Sequence, residues 1–331
     1  MAREIQTYLS VGKREDIRAK IRKTGRVLEA MSQGMAKKNI ITIERLIDQY
    51  TVLLLDAYGV LVHATGALSG APALITELNR IGKPYFIVTN DASKLPETMT
   101  RRYRSFNLDI EPERIITSGA LLKDYFRQKQ LKGARCVVLG PDDCIRYVQL
   151  AGGKVVAHHS AFDVLVIGDE SGYRFLETLD TVLTGLFDKL DHGHDVHLVM
   201  PNPDLIYPKA DKGYGFASGS IALIFEAALQ RRYPERPNLK FERLGKPHAA
   251  IFEEALRRST TRDMVMIGDQ LETDIRGAMD FGIDAALVGT GVTQAGGNDI
   301  AAYLRPTYYL QSIAPDSQIG RPAPVSLLES G

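Results

Sequence analysis

From Thr51 onward the chain is a succession of short, unbroken apolar runs. All but Val196–Met200, which holds His197 and closes on Pro201, close on Gly, Asp or Thr, and longer stretches with helical spacing lie between them. The runs are Val52–Leu55, Tyr85–Val88, Cys136–Leu139, Val164–Ile167, Val196–Met200, Met264–Ile267 and Ala285–Val288. A strand wetted on one face alternates apolar and polar residues, whereas one covered on both faces does not. Continuous runs of this length therefore predict the inner strands of a parallel sheet. Segments such as Ala71–Ile81 and His248–Arg257 supply the right-handed crossovers between them. The predicted fold class is α/β, a doubly wound, Rossmann-like parallel sheet.

Ligands of such sheets bind beyond the carboxyl ends of the strands, so the residue after each run is the one to inspect. Asp56 follows the first run, Thr89 and Asn90 the second, and Asp269 a late one, while Lys246 precedes the helix leading to that late strand. Three apolar strands between about residues 135 and 202 carry no comparable set, which predicts a second α/β module inserted into the first. A length of 331 residues also exceeds what one hydrophobic core usually serves. The expected division is a basic amphipathic helical extension over 1–45, a core over 46–117 and 219–331, and an inserted module over 118–218.

Composition excludes several classes. With 44% hydrophobic and 24% charged residues the chain reads as globular, and no apolar run approaches the ~20 residues of a membrane span. A net charge of +1 gives no global field to draw nucleic acid or an anionic membrane. Residues 1–48 hold eleven Lys/Arg against six Asp/Glu, with Ile17, Ile21, Leu28, Met31 and Met35 at helical spacing. A helix laid against the core or a dimer partner is the expectation there. Cys136 and Cys144, the only cysteines, suit a reducing compartment, and the N-terminus lacks the apolar stretch of a signal peptide, so the cytoplasm is expected.

The strand-end residues point to phosphoryl chemistry. Asp56 and Asp269 on neighbouring strand ends would repel unless a cation sat between them, and Mg²⁺ is the hard ion that takes carboxylate, carbonyl and phosphate oxygens. The backbone carbonyl of Tyr58 can reach the same ion. Lys246 and Thr89 offer a cation and a hydroxyl to a phosphoryl group, whose transfer depends on positioning and charge stabilisation. Asp56 is then expected to form an aspartyl-phosphate that water later attacks.

The order Asp56, Thr89-Asn90, Lys246, Gly268-Asp269, Asp274 resembles the four motifs of haloacid-dehalogenase-superfamily hydrolases. The remainder resembles their class IIA branch, that of p-nitrophenyl and sugar phosphatases, in which a large α/β cap lies between the second and third motifs. About 155 residues separate those motifs here. Further likeness lies in Asn202-Pro203-Asp204 with Tyr207-Pro208, Gly219-Ser220, Gly245-Lys246-Pro247 and Gly291-Val292-Thr293. The resemblance covers roughly residues 42–313. It implies Asp56 as nucleophile and metal ligand, Asp269 as ligand and Asp274 as an outer carboxylate. It also implies Thr89, Asn90, Asp91 and Lys246 around the phosphoryl group, and Tyr207 facing a small phosphorylated substrate. Pairing into a homodimer is a further implication.

One departure stands out. The superfamily's phosphatases carry a second Asp two residues after the nucleophile, as proton donor to the leaving group and then base for water. Here that position is Tyr58. A positioned acid/base contributes about 10²–10⁴-fold, and a phenol holds its proton too tightly to replace a carboxylic acid at neutral pH. Slow turnover, or a preference for good leaving groups, is expected. Asp-Ala-Tyr-Gly also resembles the first motif of the superfamily's metal-independent 2-haloacid dehalogenases, and loss of the acid also admits a phospho-metabolite-binding protein without turnover. These are the alternatives. His192, His194 and His197 match no zinc spacing, and the glycines at 213, 215 and 219 are expected to form a flexible joint between cap and core.

Overall fold

The computed structural model of the protein describes residues 39–209, 213–289 and 304–315. The amphipathic positions from Ile17 to Met35 and the Gly291-Val292-Thr293 segment lie outside them, and of the extension expected over 1–45 only residues 39–45 are described, with Ile40–Ile41 a strand rather than part of a helix.

The core is a seven-stranded sheet, in the order Ile40–Ile41, Tyr308–Leu310, Asp284–Val288, Met264–Gly268, Val52–Leu55, Tyr85–Thr89, Ile115–Thr117. Every pairing in it is parallel. Its inner strands show why the apolar runs are unbroken. Leu53, Leu55, Ile87, Val265 and Ile267 pack on one face, while Val52, Leu54, Val88, Met264 and Met266 pack on the other. The helices Ala71–Arg80 and Ala249–Ser259 form where helical spacing predicts them.

A second, five-stranded parallel sheet runs Glu242–Arg243, His197–Met200, Val164–Ile167, Arg135–Leu139, Lys154–Val155. Its far face, with Leu139, Leu165 and Ile167, is covered by the helices Phe175–Asp191 and Ser218–Arg232. Its near face, with Val138, Val166 and Val199, belongs to the same apolar cluster as Leu54 and Met266 of the first sheet. The two modules thus share buried hydrophobic contact.

One expectation needs correction. Residues 219–243, expected in the core, pack with the second sheet: the helix Ser218–Arg232 buries Ile221, Phe225 and Leu229 against it, and Glu242–Arg243 pairs with His197–Met200. The inserted module therefore runs on to about residue 243. The glycines at 213, 215 and 219 have distinct local settings. Gly213 and Gly215 fall in or beside the antiparallel hairpin Ile206–Pro208/Tyr214–Phe216, and a Cβ on Gly219 would lie 2.4 Å from the Pro203 carbonyl oxygen. Gly219 permits a close backbone approach there. Among the described residues no helix is long and apolar enough to cross a membrane.

Candidate active site

Strand register sets the site. Leu55 pairs with Ile267 on one side and Ile87 on the other, so Asp56, Asp269 and Thr89 emerge together from three adjacent strand ends. The Asp56 backbone N–H donates to the Ile267 carbonyl at 2.9 Å, fixing the start of the loop. Asp56, Asp269 and Asp274 are all buried, and one carboxylate oxygen of each lies within 4.8 Å of the others. Asp274, on the turn Leu271–Ile275, also accepts from the Gln270 amide at 3.2 Å.

Lys246 enters this cluster from the segment that returns from the second sheet. Its Nζ donates to Asp56 Oδ1 at 2.6 Å and to the Val88 carbonyl at 2.8 Å, and lies 2.7 Å from Asp274 Oδ1. Burial works against its charge, but the Asp274 and Asp56 carboxylates outweigh that and hold its pKa above the ordinary lysine value. Burial and the negative charge of Asp274 push the Asp56 carboxyl well up; Lys246 opposes the shift, and Asp269 adds to it. Three carboxylates with one lysine among them leave an excess of buried negative charge, which favours a cation.

Two glycines make room for the carboxylates. Gly59 has a φ of +83°, and a Cβ there would sit 2.3 Å from Asp269 Oδ2. A Cβ on Gly268 would meet that of Asp274 at 2.2 Å.

Asn90 links the two modules. Its Oδ1 accepts the Lys246 amide at 2.7 Å, and its Nδ2 donates to the Lys246 carbonyl at 3.0 Å and to Asp204 Oδ1 at 2.9 Å. Burial pushes the Asp204 carboxyl up to about 6, against the Asn90 hydrogen bond and Lys246. Thr89 is buried, and its Oγ1 accepts from the Asp91 amide at 3.2 Å. The Asp91 carboxylate accepts from the Ser93 hydroxyl at 2.7 Å and holds the Lys94 ammonium at 3.1 Å.

These residues open into a cavity of about 380 Å³ between the modules, a size that suits a small-molecule ligand. From the core side Asp56, Tyr58, Thr89, Asn90, Asp91 and Lys246 line it, and Tyr207 faces it from the hairpin of the second module. Tyr58 is half-buried, with the Arg102 guanidinium 5.5 Å from its ring centre. Asp269 and Asp274 lie behind the cavity wall, next to Asp56.

Sequence reasoning missed Lys94, Arg102, Asp169, Glu170 and Lys209, which also line the cavity, and gave Asp204 as a point of likeness with no role in the site. The strands of the inserted module do carry site residues, contrary to expectation: Asp169 and Glu170 follow Val164–Ile167, and Asp204 follows His197–Met200. The rule that pointed to Asp56 also applied to these strands. The three histidines at 192–197 join no metal-binding cluster among the described residues.

Comparison with known proteins agrees with this architecture. A family model described as haloacid dehalogenase-like hydrolase matches residues 53–154, and a second HAD-hydrolase-like model matches 243–315. An acid sugar phosphatase of Staphylococcus aureus (strain MRSA252) is 28% identical over 247 residues, 74% of this chain and 88% of that protein. The crystal structure of a possible sugar phosphatase from Cytophaga hutchinsonii superposes with a TM-score of 0.73 at 28% identity, over 84% of this chain and 99% of that one. A glycerol phosphate phosphatase from Mycobacterium tuberculosis, solved in complex with magnesium, shares the fold, with a TM-score of 0.69 at 22% identity over 86% of this chain and 82% of that one. The chain belongs to the haloacid-dehalogenase superfamily of hydrolases, in the class IIA branch with a large α/β cap.

Proposed function

We propose that the protein is a Mg²⁺-dependent phosphatase of small phosphorylated metabolites, with sugar phosphates the first class to test, acting through Asp56. The observation that carries this reading is the cluster of Asp56, Asp269 and Asp274 around Lys246, reached through Asp56 and Lys246 from the cavity between the modules. The all-oxygen donor set and its excess negative charge fit a hard divalent cation better than a softer metal. Asp56, Asp269 and Asp274, with the Tyr58 backbone carbonyl, would hold the ion, which would supply positive charge against the phosphoryl oxygens.

The chain's own groups account for the rest. Thr89 and Lys246 offer a hydroxyl and a cation to the phosphoryl group, Asn90 keeps Lys246 in place, and Asp91 holds Lys94 at the cavity wall. An Asp56 carboxylate oxygen attacks phosphorus, the ester oxygen leaves, and water then releases phosphate from the aspartyl-phosphate. Tyr207 and the other cap residues face the variable part of the substrate. The dehalogenase alternative fits less well, because two further carboxylates beside Asp56 would repel an anionic haloacid.

Trapping tests the reading. Acid-quenched protein incubated with Mg²⁺ and a radiolabelled phosphomonoester should carry label on the peptide containing Asp56, and Asp56→Asn should carry none. Label on another residue, or turnover undiminished in Asp56→Asn, would exclude Asp56 as nucleophile.

A further inference from the structure

The proposed reaction needs a proton for the departing oxygen, and the position that supplies it in related phosphatases holds a phenol here. Most of the carboxyl groups that face the cavity are already engaged. Asp56 is bound by Lys246, Asp91 by Ser93 and Lys94, and Asp204 by Asn90. Asp169 accepts from the Ser171 amide at 3.0 Å and its hydroxyl at 2.6 Å. Glu170 differs from all of these. It stands on the cap loop after Val164–Ile167, half-buried in the cavity wall, and the one donor that meets its carboxyl among the described residues is its own backbone N–H. An ionised, unpaired carboxylate facing a phosphate site would repel the substrate, so the geometry favours the neutral acid.

We propose that Glu170 is the proton donor and acceptor that stands in for the missing aspartate, a role that rests on the phosphatase reading above. As the bond from Asp56 to phosphorus forms and the bond to the ester oxygen breaks, the Glu170 carboxyl gives its proton to that oxygen and the alcohol leaves. The Glu170 carboxylate then takes a proton from the water whose oxygen attacks phosphorus. The bond to Asp56 breaks, phosphate leaves, and both carboxyl groups return to their starting forms.

The electrostatics agree with this placement. Burial, then the negative charges of Asp169 and Asp91, push the Glu170 carboxyl up to about 7, with its own backbone N–H and Lys94 opposing. That value suits an acid/base group working near neutrality. The other titratable groups facing it are Tyr173 on its own loop and, across the cavity, Tyr58, Arg102, Tyr207 and Lys209. Because the first step needs the protonated acid, turnover of a poor leaving group should fall as pH rises through about 7.

The test uses the full chain with Mg²⁺ and two probes: phenyl phosphate, whose leaving group needs the proton more, and p-nitrophenyl phosphate, whose leaving group needs it less. Glu170→Gln should lower kcat/KM for phenyl phosphate about 10²-fold and for p-nitrophenyl phosphate far less, and should abolish the fall in rate above neutral pH. Glu170→Asp should keep part of that profile, and adding Tyr58→Asp to Glu170→Gln should restore phenyl phosphate turnover. An unchanged profile and probe ratio in Glu170→Gln, or loss of the profile in Asp204→Asn instead, would overturn the assignment. Absence of turnover in the unmodified protein, or full turnover in Asp56→Asn, would remove the phosphatase reading together with the assignment.

Discussion

At the scale of single residues the site is a balance of buried charges. Lys246 touches Asp56 and Asp274 at once, so Lys246→Met leaves two buried carboxylates without the cation they share, Asp274 keeping only the Gln270 amide. Breaking such a pair from one side costs about 3–5 kcal/mol, to be measured by urea denaturation in EDTA, with Mg²⁺ recovering part of the loss. Full stability of Lys246→Met in EDTA would mean that the carboxylates are neutral without it. Tyr58→Asp supplies the acid that the fold expects: in the Glu170→Gln background it should raise kcat for phenyl phosphate about 10²-fold, and with Glu170 in place it should change that rate far less. A gain as large with Glu170 present as without it would mean that Glu170 supplies no proton. The residues at the ends of the long apolar runs were legible, because a polar side chain after a buried strand is conspicuous. Glu170 and Arg102 were not. One follows a strand of the inserted module, and the other sits on the helix Pro96–Ser105 among several arginines, where only folding shows which of them faces the cavity.

At the scale of elements the loop after Val52–Leu55 is held in shape by Gly59. Its left-handed φ disfavours any side chain, and a Cβ would collide with the Asp269 carboxylate. Gly59→Ala is therefore expected to lower both thermal stability and the apparent affinity for Mg²⁺, measured by melting with and without the ion; wild-type behaviour in both would show that the loop can move aside. The inner strands match the apolar runs to within a residue because both their faces are buried. The short strands Ile40–Ile41, Ile115–Thr117 and Tyr308–Leu310 escaped notice because two or three residues carry no readable period.

At the scale of the whole molecule, two parallel sheets share an apolar cluster and close a cavity over the strand ends. The existence of the inserted module was legible from the spacing of the motifs. Its far boundary was not, because a helix such as Ser218–Arg232 looks the same in sequence whichever sheet it covers. The buried carboxylates also tie metal to stability, since an ion bound only by the folded state raises the melting temperature with its concentration. Mg²⁺ should raise the melting temperature of the unmodified protein and raise it less in Asp269→Asn; equal shifts would place the ion elsewhere.

The measurement that bears most directly on the central claim is phosphate release from a panel of sugar phosphates and p-nitrophenyl phosphate, with Mg²⁺ and with EDTA, by the unmodified protein and Asp56→Asn. The account predicts release that requires both Mg²⁺ and Asp56. Release that persists in EDTA or in Asp56→Asn, or none from any member of the panel, would contradict it.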